Sequence, residues 1–128
     1  VCCGIDILHV QEINKLSEIT PVPKAPGYVR GVLNLRGQIV TIIDLAEKFR
    51  IDSFRISGTN RNIIIRSGNE YIGLFVERVG DVVQGKSDDM EPPPANTGND
   101  QGKYFKGVLK RDDLLIGILD IEEVISDK

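Results

Sequence analysis

Two pairs of acidic residues are the first candidates for chemistry in this sequence. Asp44 is followed three residues later by Glu47, and Asp120 is followed at the same spacing by Glu123. Two carboxyl groups held close together can supply the acid and the base of a hydrolytic reaction. At the start of a short apolar helical pattern, however, the same spacing is that of a helix N-cap with its capping box. Because capping explains both pairs and their recurrence, we predict helix caps and no enzymatic activity.

Sulfur and imidazole groups are too few for a catalytic or metal-binding site. Cys2 and Cys3 are adjacent and are the only cysteines, and His9 is the only histidine. A zinc site needs further ligands, and a catalytic histidine needs a nucleophile beside it. We therefore expect no metal and no cofactor, with the thiols reduced as in a cytosolic protein.

The segment from Tyr28 to Phe49 is the unit that positions the first acidic pair. Apolar side chains alternate over residues 28–35, which predicts a strand with one buried face. A tight turn at Arg36-Gly37-Gln38 follows, and its glycine supplies the conformational freedom that a short hairpin needs. Residues 39–43 are almost all apolar, so this second strand is predicted to be buried on both faces.

This unit occurs twice in the sequence. Residues 104–125 align with residues 28–49 without a gap at an offset of 76. The residues that recur identically are Tyr28, Gly31, Val32, Leu33, Ile42, Asp44 and Glu47, which return as Tyr104, Gly107, Val108, Leu109, Ile118, Asp120 and Glu123. A second repeated segment, at an offset of 69, relates Gly4–Ile13 to Gly73–Val82. Two copies at fixed spacing indicate a duplicated domain.

The strand and turn pattern predicts an all-β fold made of two small barrels. Short strands with frequent turn signals and one short helix per copy are typical of such barrels. We expect about five strands in each barrel and a shared hydrophobic interface, because a barrel of this size buries little apolar surface alone. Residues 1–128 are treated as a single domain. Residues 1–50 with C-terminal elements are assigned to the first barrel, and residues 61–119 mostly to the second.

The repeat also predicts a strand that precedes the first residue. Residues 62–66 form a strand before Tyr71, and Tyr71 aligns with Cys2. The equivalent strand of the first barrel would lie just before Val1, with two or three apolar residues in alternation on its inner face. Without that strand a sheet edge would be bare.

Composition argues against several classes of binding protein. The 128 residues carry a net charge of −3 at pH 7, which gives no electrostatic basis for nucleic-acid binding. No apolar run approaches the ~18 residues of a membrane span. Grooves for proline-rich peptides are usually lined with aromatic side chains, whereas this chain has no Trp, three Tyr and four Phe. We expect no nucleic-acid binding, no direct membrane insertion and no generic SH3-type peptide groove.

A series of motifs runs through the chain in a specific order and spacing. The motifs are Gly4-Ile5-Asp6-Ile7-Leu8, Val10-Gln11-Glu12-Ile13, Pro26, Tyr28-Val29-Arg30-Gly31-Val32-Leu33-Asn34-Leu35-Arg36-Gly37 and Ile43-Asp44-Leu45. Together they resemble the CheW-like family, the coupling proteins of bacterial chemotaxis arrays. The resemblance covers nearly the whole chain and implies a pair of SH3-like five-stranded barrels, in agreement with the repeat. The chain departs from the family pattern in its absent first strand and in the long polar loop at residues 86–103.

The resemblance implies a cytoplasmic adaptor with no active site. Such a scaffold would link the cytoplasmic tip of a methyl-accepting chemoreceptor to the regulatory domain of the chemotaxis histidine kinase. It would reach the membrane-associated receptor array only through these partners. The same fold could instead be a domain of a longer signalling protein, either a kinase regulatory domain or a response-regulator fusion.

The resemblance also implies which residues bind the partners. Val10, Glu12, Gly31, Asn34 and Arg36 match family positions linked to partner binding. The assignments are receptor binding for Val10, Glu12, Asn34 and Arg36, and kinase binding for Gly31, Val32 and Leu33, a region expected to be exposed. Gly31 has a structural interpretation as well, which we favour: because it recurs as Gly107, it serves backbone packing in both barrels.

Glu12 and Arg36 are the preferred candidates for the receptor surface. The repeat partner of Arg36 is Asp112, so the barrel does not require a cation at this place. Opposite charges here could set the register of a helical receptor tip. The alternative is an ordinary surface ion pair, which is worth ~0–1 kcal/mol.

Overall fold

The computed structural model describes residues 2–15, 18–49, 58–80, 82–85, 87–92, 104–111 and 114–125. The chain divides into two compact units. The split unit combines Val1–Ile7 with Asp81–Asp127, and the continuous unit is Leu8–Gly80 with Lys128.

Strands make up most of the regular structure, which confirms the predicted all-β class. The described strands are β1 (Cys2–Gly4), β2 (Val10–Lys15), β3 (Val29–Leu35), β4 (Gln38–Asp44), β5 (Arg61–Ser67), β6 (Glu70–Val76), β7 (Met90–Glu91), β8 (Phe105–Arg111) and β9 (Leu114–Leu119). The described helices are α1 (Leu45–Lys48), α2 (Ile121–Ile125) and single 3₁₀ turns at Ile7–His9 and Ser87–Asp89. The predicted polar loop at residues 86–103 therefore contains a turn of helix and a short strand within its described part.

The continuous unit is a five-stranded sheet in the order β2-β5-β6-β4-β3. Two antiparallel hairpins, β3–β4 and β5–β6, are joined by a parallel pairing of β4 with β6. Alternate side chains of these strands point to one face, as the period of a strand requires. There they form the core cluster Leu33, Val40, Ile42, Ile64 and Phe75.

The split unit repeats the same parallel pairing with fewer described strands. Its sheet has the order β1-β9-β8-β7, four strands within the described residues, where five were expected. Gly4 of β1 lies opposite Ile118 of β9, just as Gly73 of β6 lies opposite Ile42 of β4. Since both members of each pair are repeat partners, the sequence duplication is also a duplication of strand pairing.

The two sheets do not follow the predicted boundary between the barrels, which was placed between residues 50 and 61. That boundary separates residues 61–76 from the first hairpin, but β5 and β6 lie in the same sheet as β2, β3 and β4. The physical reason is the parallel pairing. In each sheet the second strand of the hairpin pairs with a strand distant in sequence, namely β6 beside β4 and β1 beside β9.

Burial of the apolar residues Leu33, Val40, Ile42 and Ile43 agrees with the strand pattern of the first hairpin, and Ile39 departs from it. Val40, Ile42 and Ile43 are fully buried, as expected for a strand covered on both faces. Ile39 is 64% exposed, because it stands at the end of β4 next to the turn. Leu33 is only 6% exposed and lies opposite Val40, which agrees with the buried face that the alternation predicts and contradicts the exposure expected of the kinase-binding region.

Gly31 and Gly107 occupy equivalent places where another chain segment crosses the hairpin. Gly31 has φ 145°, and a Cβ built on it would lie 2.2 Å from the carbonyl oxygen of Thr20. A Cβ on Gly107 would lie 2.9 Å from the carbonyl oxygen of Glu91. Real Cβ atoms do not approach a backbone oxygen so closely, so only glycine fits at Gly31 without a shift of the chain. This geometry supports the interpretation that the glycine serves backbone packing in both copies.

Candidate functional site

The tip of the β3–β4 hairpin carries the arginine that the sequence singled out. The turn consists of two residues, Arg36 with φ 50° and Gly37 with φ 84°. Positive φ at both positions is characteristic of the type I′ turn that matches the twist of a hairpin. The side-chain oxygen of Asn34 accepts a hydrogen bond of 2.9 Å from the Gly37 amide and so fixes the turn. The predicted tight turn is confirmed, although Gln38 already belongs to β4.

Glu12 and Arg36, the two preferred candidates, form an ion pair. The Nη2 atom of Arg36 donates to Oε1 of Glu12. Glu12 lies on β2 and Arg36 follows β3, which are the two outermost strands of the sheet order. The pair therefore connects β2 and β3, which form no backbone ladder with each other among the described residues. Its two side chains differ in exposure: Arg36 is 75% exposed and Glu12 26%.

The ion pair changes the acidity of Glu12. The hydrogen bond from the Arg36 guanidinium lowers the pKa of the Glu12 carboxyl, and the charge of Arg36 and a hydrogen bond from Asn14 add to this effect. Partial desolvation acts in the opposite direction but does not outweigh them. Glu12 is therefore a carboxylate at neutral pH, and the pair presents both charges at this end of the unit.

The other two receptor-binding candidates flank this ion pair along the strands. Asn34 is exposed and stands two residues before Arg36, with its oxygen engaged in the turn. Val10 is half-buried on β2, opposite Ile65 and separated from Glu12 by a β-bulge. The structure thus brings Glu12 and Arg36 into direct contact and places Asn34 beside them, with Val10 further along β2.

A cleft of about 230 Å³ opens beside the ion pair in the continuous unit. Its lining residues are Gln11, Glu12, Leu35, Arg36, Gln38, Ile64 and Tyr71. Sequence reasoning missed Gln38 and Tyr71 as members of this surface. Tyr71 could have been found by the rule that selected Arg36, because its repeat partner is Cys2 and it therefore breaks the repeat.

The three kinase-binding candidates are mostly covered. Leu33 lies in the core, so its expected exposure is wrong. Val32 is half-buried, and its backbone N–H and C=O bond to Thr20 at 2.9 and 2.8 Å. Gly31 lies directly under the same segment. Of this group, only the Val32 side chain offers partial access to a partner.

The aspartate of each acidic pair acts as a helix N-cap, as predicted. An Asp44 oxygen accepts hydrogen bonds from the amides of Ala46 and Glu47 at 3.0 and 3.3 Å. Asp120 accepts one from the Glu123 amide at 3.4 Å. The reciprocal half of a capping box is replaced by another contact, because the Asp44 amide donates to the carbonyl oxygen of Tyr28 at 2.7 Å. These contacts engage the two aspartates in helix termini.

Within the part of the chain that the structure describes, no group of three or more His, Cys, Asp or Glu side chains could hold a metal ion. Cys2 and Cys3 are free thiols. Desolvation and the neighbouring Cys2 raise the pKa of the Cys3 thiol, which favours its less reactive protonated form. None of the described helices is long and apolar enough to cross a membrane.

Comparison with known proteins gives consistent matches over nearly the whole chain. The family model of the CheW-like domain matches residues 2–128. The chain is 34% identical to the chemotaxis protein CheW of Helicobacter pylori, with 96% of this chain and 74% of that protein covered. It is also 34% identical to the chemotaxis protein CheW of Thermotoga maritima, with 97% and 80% covered, and 32% identical to that of Treponema pallidum, with 98% and 76% covered.

A solved structure shares the fold. The crystal structure of the scaffolding protein TtCheW from Thermoanaerobacter tengcongensis superposes with a TM-score of 0.88 at 34% sequence identity, covering 95% of this chain and 79% of that one. This match, with the two sheets and the repeated pairing of their strands, confirms the predicted duplicated SH3-like barrel fold.

Proposed function

This chain belongs to the CheW-like family, and on that premise we propose that it is a non-catalytic adaptor of bacterial chemotaxis. It couples the cytoplasmic tip of a chemoreceptor to the regulatory domain of the chemotaxis histidine kinase. The protein works in the cytoplasm and reaches the receptor array through these two partners. It needs no cofactor, because its task is to hold two other proteins at a fixed spacing.

The observation that carries this proposal is the ion pair of Glu12 and Arg36 beside the cleft. Both residues occupy family positions linked to partner binding, and the structure brings them together at one end of the continuous unit. Their repeat partners are Asp81 and Asp112, two acids that cannot form such a pair. The fold does not need these charges in both copies, which favours a role in recognition over a role in folding.

The receptor-binding surface is proposed to consist of the ion pair, Asn34, Val10 and the adjoining cleft. A helical receptor tip presents both charged and apolar side chains. An exposed guanidinium beside a partly covered carboxylate can fix the register of such a helix through charge complementarity. Tyr71 adds an amphipathic wall to the cleft, and side chains of this type are enriched at interfaces.

The kinase-binding region is proposed to include Val32 and the backbone around Gly31. Leu33 contributes to it from below, by supporting the strand from the core. Because Thr20 already bonds to the backbone of Val32, a partner would contact side chains here and would not extend the sheet along this edge.

Titration calorimetry with each partner tests the proposal. The chain is titrated with a soluble receptor signalling fragment, then with the isolated kinase regulatory domain, and then with one partner in the presence of the other. We expect specific binding of each and a ternary complex in which both are bound together. Absence of binding to both partners, or mutually exclusive binding, would contradict a coupling function.

A further inference from the structure

Arg30 points into the continuous unit although the alternation of β3 would place it outside. The pairing of β3 with β4 shifts register between Val29 and Gly31, and Arg30 is the residue within that shift. A β-bulge of this kind turns a side chain away from the face that strict alternation gives it. The guanidinium consequently lies over the ring of Phe75, 4.1 Å from the ring centroid. A cationic side chain is thereby set against the edge of the core cluster.

Two asparagines stand in the same transverse row. Asn14 of β2 lies opposite Asn62 of β5, and Asn62 lies opposite Phe75 of β6. Directly opposed residues of antiparallel strands share a face and approach within about 4.5–5.5 Å at Cβ. The row therefore runs Asn14, Asn62, Phe75, with Arg30 above the ring. Asn62 is fully buried, whereas Asn14 and Arg30 are half-buried.

Four polar atoms of this row have no hydrogen-bond partner among the described residues. They are Arg30 Nε, Asn14 Oδ1, Asn62 Nδ2 and Asn62 Oδ1, and each is itself buried. A buried polar atom without a partner is unfavourable, because its hydrogen bonds to water are lost and not replaced, so native structures rarely leave such atoms unpaired. The four atoms belong to Asn14, Asn62 and Arg30, which the strand pairings and the Phe75 ring bring to the same part of the unit.

Another asparagine and another arginine of this unit, Asn60 and Arg66, have hydrogen-bond partners within the protein. Asn60 is as buried as Asn62, but its Nδ2 donates to the carbonyl oxygen of Glu77 at 2.9 Å. Arg66 also faces an aromatic ring, that of Tyr71, but its Nε donates to the carbonyl oxygen of Gly68 at 2.8 Å. Partners within the protein are therefore available to another asparagine and another arginine of this unit, whereas the four atoms of the row have none among the described residues.

The donors and acceptors of the row together define the chemistry of the partner. Arg30 Nε and Asn62 Nδ2 donate, while Asn14 Oδ1 and Asn62 Oδ1 accept. A carboxylate or phosphate would satisfy the donors only, and a metal ion would satisfy the acceptors only and be repelled by Arg30. Water both donates and accepts, and an ordered buried water typically makes two to four hydrogen bonds to such groups. Since Asn14 and Arg30 are half-buried, water can reach the row from the surface.

We infer that Asn14, Asn62 and Arg30 form an ordered-water site that closes this end of the continuous unit. Asn14 belongs to β2 and Arg30 to β3, the same outermost strands that the Glu12–Arg36 ion pair connects near the hairpin tip. The water site thus provides a second link between the two strands, and it adjoins the first, because Asn14 Nδ2 also donates to Glu12 Oε2 at 3.4 Å. This inference concerns the barrel itself and does not depend on the proposed coupling function.

A crystal structure of the chain at about 1.5 Å resolution tests the site directly. We expect a water molecule within hydrogen-bond distance, ~2.7–3.2 Å, of Arg30 Nε and of at least one amide atom of Asn62. Direct hydrogen bonds between the Asn14 and Asn62 amides, with no water on Arg30 Nε, would overturn the inference.

A double-mutant cycle in solution tests the same link. Arg30→Met and Asn62→Leu remove the two sides of the link while keeping most of the volume. If water joins the two residues, Asn62→Leu should destabilise the protein less when Arg30→Met is already present. The factor by which Asn62→Leu raises the unfolding equilibrium constant should be at least about fivefold smaller in Arg30→Met than in the unmodified chain. The matched control cycle pairs Arg66→Met with Asn62→Leu and should show no coupling. Coupling within twofold of unity in the Arg30 cycle would contradict the site.

Asn14→Leu replaces Asn62→Leu if the buried substitution does not fold. Asn14 is half-buried at the outer strand, where a leucine is easier to accommodate. The Arg30→Met and Asn14→Leu cycle carries the same expectation and is contradicted by the same lack of coupling.

Discussion

The two hairpins of the repeat, β3–β4 and β8–β9, share their framework and differ at their tips. In the first, the Asp44 amide donates to the Tyr28 carbonyl oxygen at 2.7 Å. In the second, the Asp120 amide donates to the Tyr104 carbonyl oxygen at 2.8 Å. Both aspartates cap the helix that follows. The recurring residues thus serve backbone contacts that each copy needs.

The tip of the first hairpin carries chemistry that the second cannot reproduce. Arg36 reaches Glu12 there, whereas the repeat partners of these two residues are both acidic. At the two hairpins, the comparison therefore separates a residue needed for folding from one available for binding. Asp44, which recurs as Asp120, should affect stability when it is changed, whereas Arg36, which does not recur, should affect recognition.

The largest effect is expected from Gly31→Ala, with Gly107→Ala as its matched partner. The added Cβ at Gly31 meets the Thr20 carbonyl in a backbone conformation that alanine avoids, so we expect a loss of about 3 kcal/mol or more in the free energy of unfolding. At Gly107 the Cβ meets mainly the flexible Met90 side chain, so overpacking should cost about 1–2 kcal/mol.

Urea denaturation of both glycine variants measures this difference. Gly37→Ala is the control for backbone conformation alone, because φ is positive there and nothing lies within 4 Å of the added Cβ. A smaller loss for Gly31→Ala than for Gly107→Ala would contradict the backbone clash expected at Gly31.

A smaller effect is expected from removing the two caps. Asp44→Ala and Asp120→Ala should each cost roughly 0.5–2 kcal/mol, with the larger loss at Asp44, which accepts two hydrogen bonds where Asp120 accepts one. Thermal unfolding with Asn variants as conservative controls checks this. Partner binding should survive below the melting temperature. A cap variant that keeps full stability but loses kinase binding would refute the structural role.

The smallest effect is expected on the pKa of Glu12. Because its pKa is lowered in the folded state, the ion pair stabilises the protein above the ordinary value of 4.5, and this contribution is lost as the pH falls through the lowered pKa. NMR titration should find a Glu12 pKa below 4.5 that moves upward in Arg36→Gln. Lys15→Gln, which removes a different charge from β2, should leave it in place. Equal shifts in both variants would mean that general charge, not the pair, sets the acidity.

Features determined by neighbouring residues could be predicted from the sequence. The turn at Gly37, the caps at Asp44 and Asp120 and the burial of Val40, Ile42 and Ile43 all follow from local spacing and conformational preference. The placement of Glu12 and Arg36 on one surface followed only from the resemblance, because 24 residues separate them.

Features determined by distant pairings could not be predicted in the same way. The inward orientation of Arg30 depends on a bulge in the β3–β4 ladder, and alternation gives no sign of it. The place of β5 and β6 depends on a parallel pairing with β4 that local pattern does not encode. Ile39 is apolar yet exposed, because it lies at the end of β4 beside the turn. The strand pattern in the sequence does not show where the neighbouring strand ends.

Arg36 and Glu12 are proposed to act mainly in receptor recognition, with only a small contribution to the stability of the barrel. Arg36→Glu tests this claim by calorimetry with the receptor fragment and the kinase regulatory domain separately. The melting temperature should change little, because surface substitutions usually stay within about 0.5 kcal/mol.

The reversed pair, Glu12→Arg with Arg36→Glu, is the most direct measurement because it keeps an ion pair between the strands while exchanging the charges. We expect receptor affinity to fall by about tenfold or more, which corresponds to ~1.4 kcal/mol, in both the single and the reversed variant. Kinase affinity should stay nearly constant. Two results would show that the pair is structural and contradict its proposed role in receptor recognition. One is full recovery of receptor binding in the reversed pair, and the other is an equal loss of affinity for both partners with a lowered melting temperature.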